Sequence, residues 1–273
     1  CRAGVFALDD ALRLVVARGR IMASVPADGA MAAVFGGPQA LSALPVDVRE
    51  AVDAAAFNAP DECVISGPEA AVAAACEALD KLGVGTQRLR TSHGFHSRLM
   101  EPALDAFAAE LAGVSLSAPS GTLVSNLTGA IDAPFNTADY WVRHIREPVR
   151  FADGMAALAA AGASVLIEIG ASPALSGCAS RCPGFAGGPP VIVPTLRRNQ
   201  PARRTLGALL AQLFVAGVPL RWDAVFDPAL RAEAPGYPFA AERHWLEPAP
   251  SSEASASLVA AQPMAGESAD PAV

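Results

Sequence analysis

Residues 30–91 run in an order that few folds accommodate. Ala30–Phe35 is a short apolar run with strand character, closed by Gly36-Gly37. Val46–Asp53 is a short helical stretch. Residues 54–57 and 62–66 read as two strands around the turn Asn58-Ala59-Pro60-Asp61. Pro68 opens a helix that runs to about Leu82, Gly83 stops it, and Gly85–Leu89 is a further strand. The succession strand, helix, strand, strand, helix, strand matches the split βαβ unit of a ferredoxin-like fold.

The flanks read differently. Residues 8–22 form a helix that Asp9 can cap, with Leu12, Val15, Val16 and Met22 on its apolar side and Arg18 and Arg20 near its C-terminal end. A helix is expected from Ser97 to Leu111 and another over 151–161, with strands at Thr122–Asn126 and Val165–Ile169. Val165-Leu166-Ile167-Glu168-Ile169 is almost continuously apolar, as a parallel strand covered on both faces would be. It ends in the sharp turn Gly170-Ala171-Ser172-Pro173. This is α/β organisation. From Val191 the texture changes to a helix near 203–216 and then to Pro-rich sequence holding Tyr237-Pro238-Phe239 and His244-Trp245-Leu246. Residues 248–273 have the Ala, Ser, Pro and Glu composition of a flexible linker.

Composition narrows the function. The 273 residues carry 20 Lys+Arg against 27 Asp+Glu, a net charge of −7, which argues against a nucleic-acid partner. No apolar run reaches the roughly 18 residues of a membrane span. The five cysteines are irregularly spaced and form no disulfide framework, which fits a reducing cytoplasm. Cys178 and Cys182 can share a helix face, but no further ligand completes a zinc site, so no metal is expected. The chain opens on Cys1, in what reads as the middle of something, so it is expected to be a truncated piece of a longer protein.

Of the four histidines, His93 and His96 form H-G-F-H after a predicted strand. A structural histidine and a general base on a loop are both open readings, with the structural one favoured on local sequence alone. Arg18 is either a helix-end cation in water or a forked donor for a substrate carboxylate. Gly36-Gly37 and Gly187-Gly188 lack the spacing of a phosphate loop. The nucleophile elbow G-x-S-x-G is absent. The nearest failure is Gly170-Ala171-Ser172-Pro173-Ala174.

Taken together, several long segments resemble the acyltransferase domain of a modular type I polyketide synthase. They are RAGVFALDDALRLVVARGRIM (2–22), FNAPDECVISG (57–67), SHGFHSRLMEP (92–102), YWVRHIREPVRF (140–151) and IEIGASPAL (167–175), with YPFAAERHWL (237–246) similar to the linker that follows that domain. The resemblance is collinear from residue 1 to about 247. It implies an α/β-hydrolase-like large subdomain, incomplete at its N-terminus, with an inserted ferredoxin-like small one. The boundaries it suggests are 1–29 and 92–195 for the large part and 30–91 for the small. Residues 196–247 would be the post-acyltransferase linker, and 248–273 an interdomain linker.

The activity implied is transfer of a malonyl-type extender from coenzyme A to a serine, then to the phosphopantetheine thiol of an acyl carrier protein. No cofactor is expected to be bound, and a neighbouring ketosynthase domain is expected. His96 falls on the catalytic histidine and His144 on the residue whose backbone carbonyl orients it. Arg18 falls on the arginine that pairs with the extender carboxylate. Asn58, Phe95 and His93 are further substrate-binding candidates. H-G-F-H resembles the form associated with malonyl selection, with Phe95 narrowing the space an α-methyl needs. Gly94, where alanine is usual, is expected to loosen the loop.

The G-H-S-x-G serine of the family is missing, so this chain alone is expected to be inactive. The alternatives are a non-catalytic structural or docking fragment, an α/β-type hydrolase and a stand-alone malonyl transacylase of fatty acid synthesis. The side to which Arg18 turns separates the enzyme from the scaffold.

Overall fold

The computed structural model describes residues 1–185, 188–226 and 236–237. Residues 1–221 and 222–273 are separate units.

The first unit begins with α1 (Leu8–Ser24) and β1 (Gly29–Phe35), followed by α2 (Gly37–Ser42) and α3 (Val46–Ala51). Then come β2 (Asp53–Ala59), β3 (Glu62–Pro68), α4 (Glu69–Lys81) and β4 (Gly85–Arg88). The four strands form one antiparallel sheet in the order β2-β3-β1-β4, the order of a ferredoxin-like split unit. The alternation in the sequence explains it. Ala32 and Val34 of β1 and Cys63 and Ile65 of β3 turn to one face, where α4 lays down Val72, Ala75 and Leu79 at helical spacing. All three α4 residues are fully buried. Gly83 then takes φ +75°, and its amide bonds Asp80 O, closing the helix in the left-handed region that suits glycine.

A 3-10 turn at Arg98–Ala103 leads into α5 (Leu104–Leu111), and α6 follows at Ala138–Arg146. The single helix expected over 97–111 is thus divided. Pro102 has no N–H for an α-helical bond, and Ser97 caps the turn by accepting from Leu99 N. Met100, Ala103, Phe107 and Leu111 pack with Leu14 and Met22 of α1 and Ile145 of α6.

Two expectations for α1 fail. The N-cap is Ala7 without a side-chain bond, leaving Asp9 inside the first turn. Leu12, Val15 and Val16 are exposed, while Leu14, Ala17 and Met22 are buried. Both sides of this helix carry apolar residues, and only the second meets α5.

α7 (Phe151–Ala160) precedes β5 (Val165–Glu168), α8 (Ser176–Ala179), β6 (Val191–Pro194) and α9 (Ala202–Val215). β5 and β6 pair in parallel from Val165↔Val191 to Glu168↔Pro194. β5 is not covered on both faces as its composition suggested: Ile167 and Ile169 are exposed, and among the described residues β6 is its only ladder partner. Thr122–Asn126 forms no strand. Its chain turns instead at Ser125, whose Oγ accepts from the amides of Leu127 and Thr128. The turn after β5 is held by Glu168, whose carboxylate accepts from the amides of Ala174, Leu175 and Ser176.

These elements place the mixed helices and sheets in the α/β class. In the second unit, Trp222 starts a short 3-10 turn and its ring stacks on Phe226 at 5.8 Å. The linker segments over 238–247 and 248–273, with His244, lie outside the described residues. No helix among the described residues is long and apolar enough to cross a membrane.

Candidate active site

α1 and the loop after β4 enclose a cleft of about 500 Å³, lined by Val15, Arg18, Gly19, Met22 and Ala23 from the helix and by Met31, Ser92, His93, Phe95 and His96. The loop is held close to the sheet. A Cβ added to Gly29 would lie 2.2 Å from Gly94 N, so the two glycines allow their backbones to touch. Gly94 is buried and its carbonyl accepts from Ser97 Oγ at 2.6 Å. Glycine here packs the loop down, contrary to the expected loosening.

His96 sits in the left-handed region with φ +57°, uncommon for a residue with a side chain. Its Nδ1 meets the backbone carbonyl of Glu147 at 2.8 Å. A carbonyl can only accept, so Nδ1 carries the proton and Nε2 keeps a lone pair. Burial holds the imidazole below its ordinary pKa. The Glu147 bond opposes this and the Arg18 charge adds to it.

The orienting carbonyl therefore belongs to Glu147, not to His144 as expected. Glu147 caps α6 with φ −81° and ψ 157° because the following Pro148 disfavours the helical conformation. That extended geometry turns its carbonyl off the helix axis. The strip beyond it is tied down on both sides. Phe57 N donates to Val149 O and Val149 N to Ala55 O, while Arg150 N donates to Asn126 O.

His144 instead contacts Arg18: Nη1 lies 3.5 Å from its Nδ1. The His144 and His96 rings are 6.2 Å apart, edge to face. Burial, then the charge of Arg18, pushes His144 down to about 4. Arg18 itself is half-buried. Its Nε donates to Met22 Sδ at 3.4 Å, and among the described residues it has no carboxylate partner. A guanidinium held this way, beside a neutral imidazole and without an anion of its own, keeps donors of the fork geometry that a carboxylate accepts.

Phe95 lines the cleft with its ring 5.6 Å from that of His93 and packs against Met31 and Val64. His93 is buried. Its Nε2 bonds Val25 O at 2.9 Å and its Nδ1 bonds Ser92 Oγ at 2.7 Å, so both nitrogens are used by the fold and only a ring surface reaches the cleft. Asn58 is not brought to this cleft. It lies at the end of β2, and its amide donates to Glu62 at 3.0 Å in a cluster that includes Arg181. A neighbouring concavity of about 480 Å³, lined by Phe57, Arg150 and Cys182, has its arginine paired with Asp153. Among the described residues no group of histidine, cysteine and acidic side chains could hold a metal ion.

Sequence reading missed two residues here. Glu147 was legible from the Glu-Pro pair. Asp53, whose carboxylate accepts from Arg98 and Arg146, had no local signal.

Residues 2–219 match the family described as Acyl transferase domain. The chain is 40% identical over 252 residues to the polyketide synthase GfsA of Streptomyces halstedii, covering 91% of this chain and 3% of that synthase. Among solved structures, the acyltransferase domain from the second module of the salinomycin polyketide synthase superposes with a TM-score of 0.77 at 40% identity, over 83% of this chain and 53% of that one. The malonyl CoA-acyl carrier protein transacylase from Clostridium perfringens gives 0.71 at 25% identity, over 79% and 67%. The chain thus spans a small part of the synthase and about half of the salinomycin domain structure.

Proposed function

The chain belongs to the acyl transferase domain family, with polyketide synthases as its relatives, and on that premise we propose that it serves the loading of a malonyl-type extender unit. The acyl group passes from coenzyme A to a serine, and from there to the phosphopantetheine thiol of an acyl carrier protein. The observation that carries this reading is the convergence of His96 and Arg18 on one cleft. A docking piece without chemistry has no use for an anion-free, half-buried arginine beside a base with an open lone pair.

In the first half-reaction His96 Nε2 takes the serine proton as the hydroxyl attacks the thioester carbonyl. The Glu147 carbonyl, on Nδ1–H, supports the imidazolium that forms. The tetrahedral intermediate collapses, the C–S bond breaks, and His96 returns the proton to the leaving CoA thiolate. The second half runs in reverse order, with the carrier thiol losing its proton to His96 and the serine oxygen regaining it. Burial favours the neutral imidazole, so the base is ready near neutral pH.

Arg18 pairs with the free carboxylate of the extender, and an acyl group without one leaves the guanidinium buried and unpaired. Phe95, beside it in the cleft, disfavours an α-methyl and supports malonyl as the extender. Residues 30–91 act as the inserted small subdomain, residues 1–29 and 92–195 as the large one, and a ketosynthase as the neighbour. The five free cysteines fit a reducing cytoplasm.

Residues 1–273 contain no G-x-S-x-G motif, so this polypeptide taken by itself forms no acyl-serine. The test joins residues 1–273 to a segment bearing G-H-S-x-G and follows intact mass with malonyl-CoA. A malonyl adduct that appears on the joined protein and not on residues 1–273 supports the reading. No adduct on the joined, folded protein returns the scaffold alternative.

A further inference from the structure

Asp53 opens β2, away from the cleft, yet its carboxylate reaches both segments that form the His96–Glu147 pair. Oδ2 accepts from the backbone amide of Arg98 at 2.9 Å and from Arg98 Nε at 3.1 Å. Arg98 lies two residues after His96. Oδ1 accepts from Arg146 Nη2 at 3.2 Å, and Arg146 immediately precedes Glu147. Arg98 Nη2 also donates to Glu50 O at 2.9 Å, and Arg146 Nε to Glu101 at 3.2 Å.

The side chain of Asp53 is 14% exposed, against 47% for Arg98 and 26% for Arg146, so the carboxylate is the most buried member of the group. Burial pushes its carboxyl pKa up, but the Arg98 bonds and the Arg146 charge outweigh this and hold it below the usual value. One ionised group thus ties the end of the histidine loop to the end of α6, with the small sheet as the fixed frame.

We propose that Asp53 is a positioning residue for His96: it holds the loop and the Glu147 strip in the one relation that lets Nδ1–H reach the Glu147 carbonyl. This rests on reading His96 as the base. The consequence is chemical as well as mechanical. A fixed Nδ1–H···O bond selects the tautomer whose Nε2 lone pair faces the cleft, and a loosened loop lets the imidazole revert to the Nε2–H form that a free imidazole favours.

The test needs no substrate and uses residues 1–273 as they stand, labelled with ¹⁵N-histidine. The ring nitrogen shifts report the tautomer of each imidazole, and the His96 signals are identified by their loss in His96→Gln. The unsubstituted chain shows His96 as Nδ1–H. Asp53→Ala loses that form, Asp53→Glu recovers much of it, and Glu101→Gln, which removes only the neighbouring anchor of Arg146, leaves it unchanged.

Retention of the Nδ1–H form in a folded Asp53→Ala chain overturns the proposal, whatever the loss in thermal stability. Should that variant fail to fold, the isosteric Asp53→Asn carries the test, with a mixture of tautomers expected and an unchanged spectrum contradicting it. An Nε2–H form in the unsubstituted chain would overturn the base reading itself, and the proposal with it, a result separate from any effect of Asp53.

Discussion

The Nδ1–H of His96 donates to the backbone carbonyl of Glu147 across 2.8 Å. No carboxylate takes part. The loop residue supplies the donor, and the residue that ends α6 supplies the acceptor because Pro148 follows it.

Replacing that proline tests the dependence. In Pro148→Ala the 147 position regains access to the helical region, and its carbonyl turns back toward the α6 axis. Acyl-enzyme formation in the serine-bearing protein is expected to fall by roughly 10- to 100-fold, as a misplaced catalytic group does. Stopped-flow release of CoA measures it. An unchanged rate would show that the pair does not depend on the Glu-Pro geometry.

Arg18→Ala removes the guanidinium proposed to pair with the extender carboxylate. A charge-assisted pair of this kind is worth about 1.5–3 kcal/mol, so the preference for malonyl- over acetyl-CoA should drop by roughly 10- to 150-fold. The ratio of kcat/KM values for the two substrates is the readout. Loss of both activities in equal measure would place Arg18 outside the specificity of the site.

Phe95→Ala enlarges the cleft beside Arg18 and removes a ring that packs on Met31 and Val64. Room for one methyl changes discrimination by about 1–3 kcal/mol, so the methylmalonyl to malonyl ratio should rise roughly 5- to 150-fold. Competition between the two CoA esters, read by mass, decides it. A ratio that does not move would assign malonyl choice to another part of the cleft.

His144 gives stability a pH dependence of defined sign. Its folded pKa of about 4 lies below the ordinary 6.5. Between these values the unfolded chain takes up a proton that the folded one refuses, so the contribution is full above pH 6.5 and is lost as pH falls toward 4. The loss amounts to about 3 kcal/mol. Urea unfolding at a series of pH values should show this slope, and His144→Asn should flatten it. An equal slope in the variant would assign the acid loss to His96, whose pKa burial and the Arg18 charge likewise hold below 6.5.

The small sheet was legible because its strands alternate with helices between clear Gly and Pro stops, and the observed order β2-β3-β1-β4 follows from that succession. The buried side of α1 was not. Leu12, Val15 and Val16 form as good a stripe as Leu14, Ala17 and Met22, and periodicity alone cannot say which one meets a neighbour. Arg18 and His96 stood out by resemblance, but the acceptor for His96 depends on backbone angles at a helix end, which residue types record only through Pro148. Asp53 was hidden because its partners lie 45 and 93 residues away in sequence. Asn58 and His93 carried the right residue types, and the fold spends them on Glu62, Val25 and Ser92 instead.

The most direct test of His96 as the base is the pH dependence of a single turnover at saturating malonyl-CoA, with residues 1–273 joined to the serine-bearing segment. The rate should show an acid limb whose midpoint lies below the ordinary imidazole pKa, because burial and the Arg18 charge hold His96 down. In His96→Ala the rate should drop roughly 10²–10⁴-fold and lose that acid limb. An acid limb with its midpoint at or above the ordinary imidazole pKa, or a rate that His96→Ala leaves intact, would contradict the account.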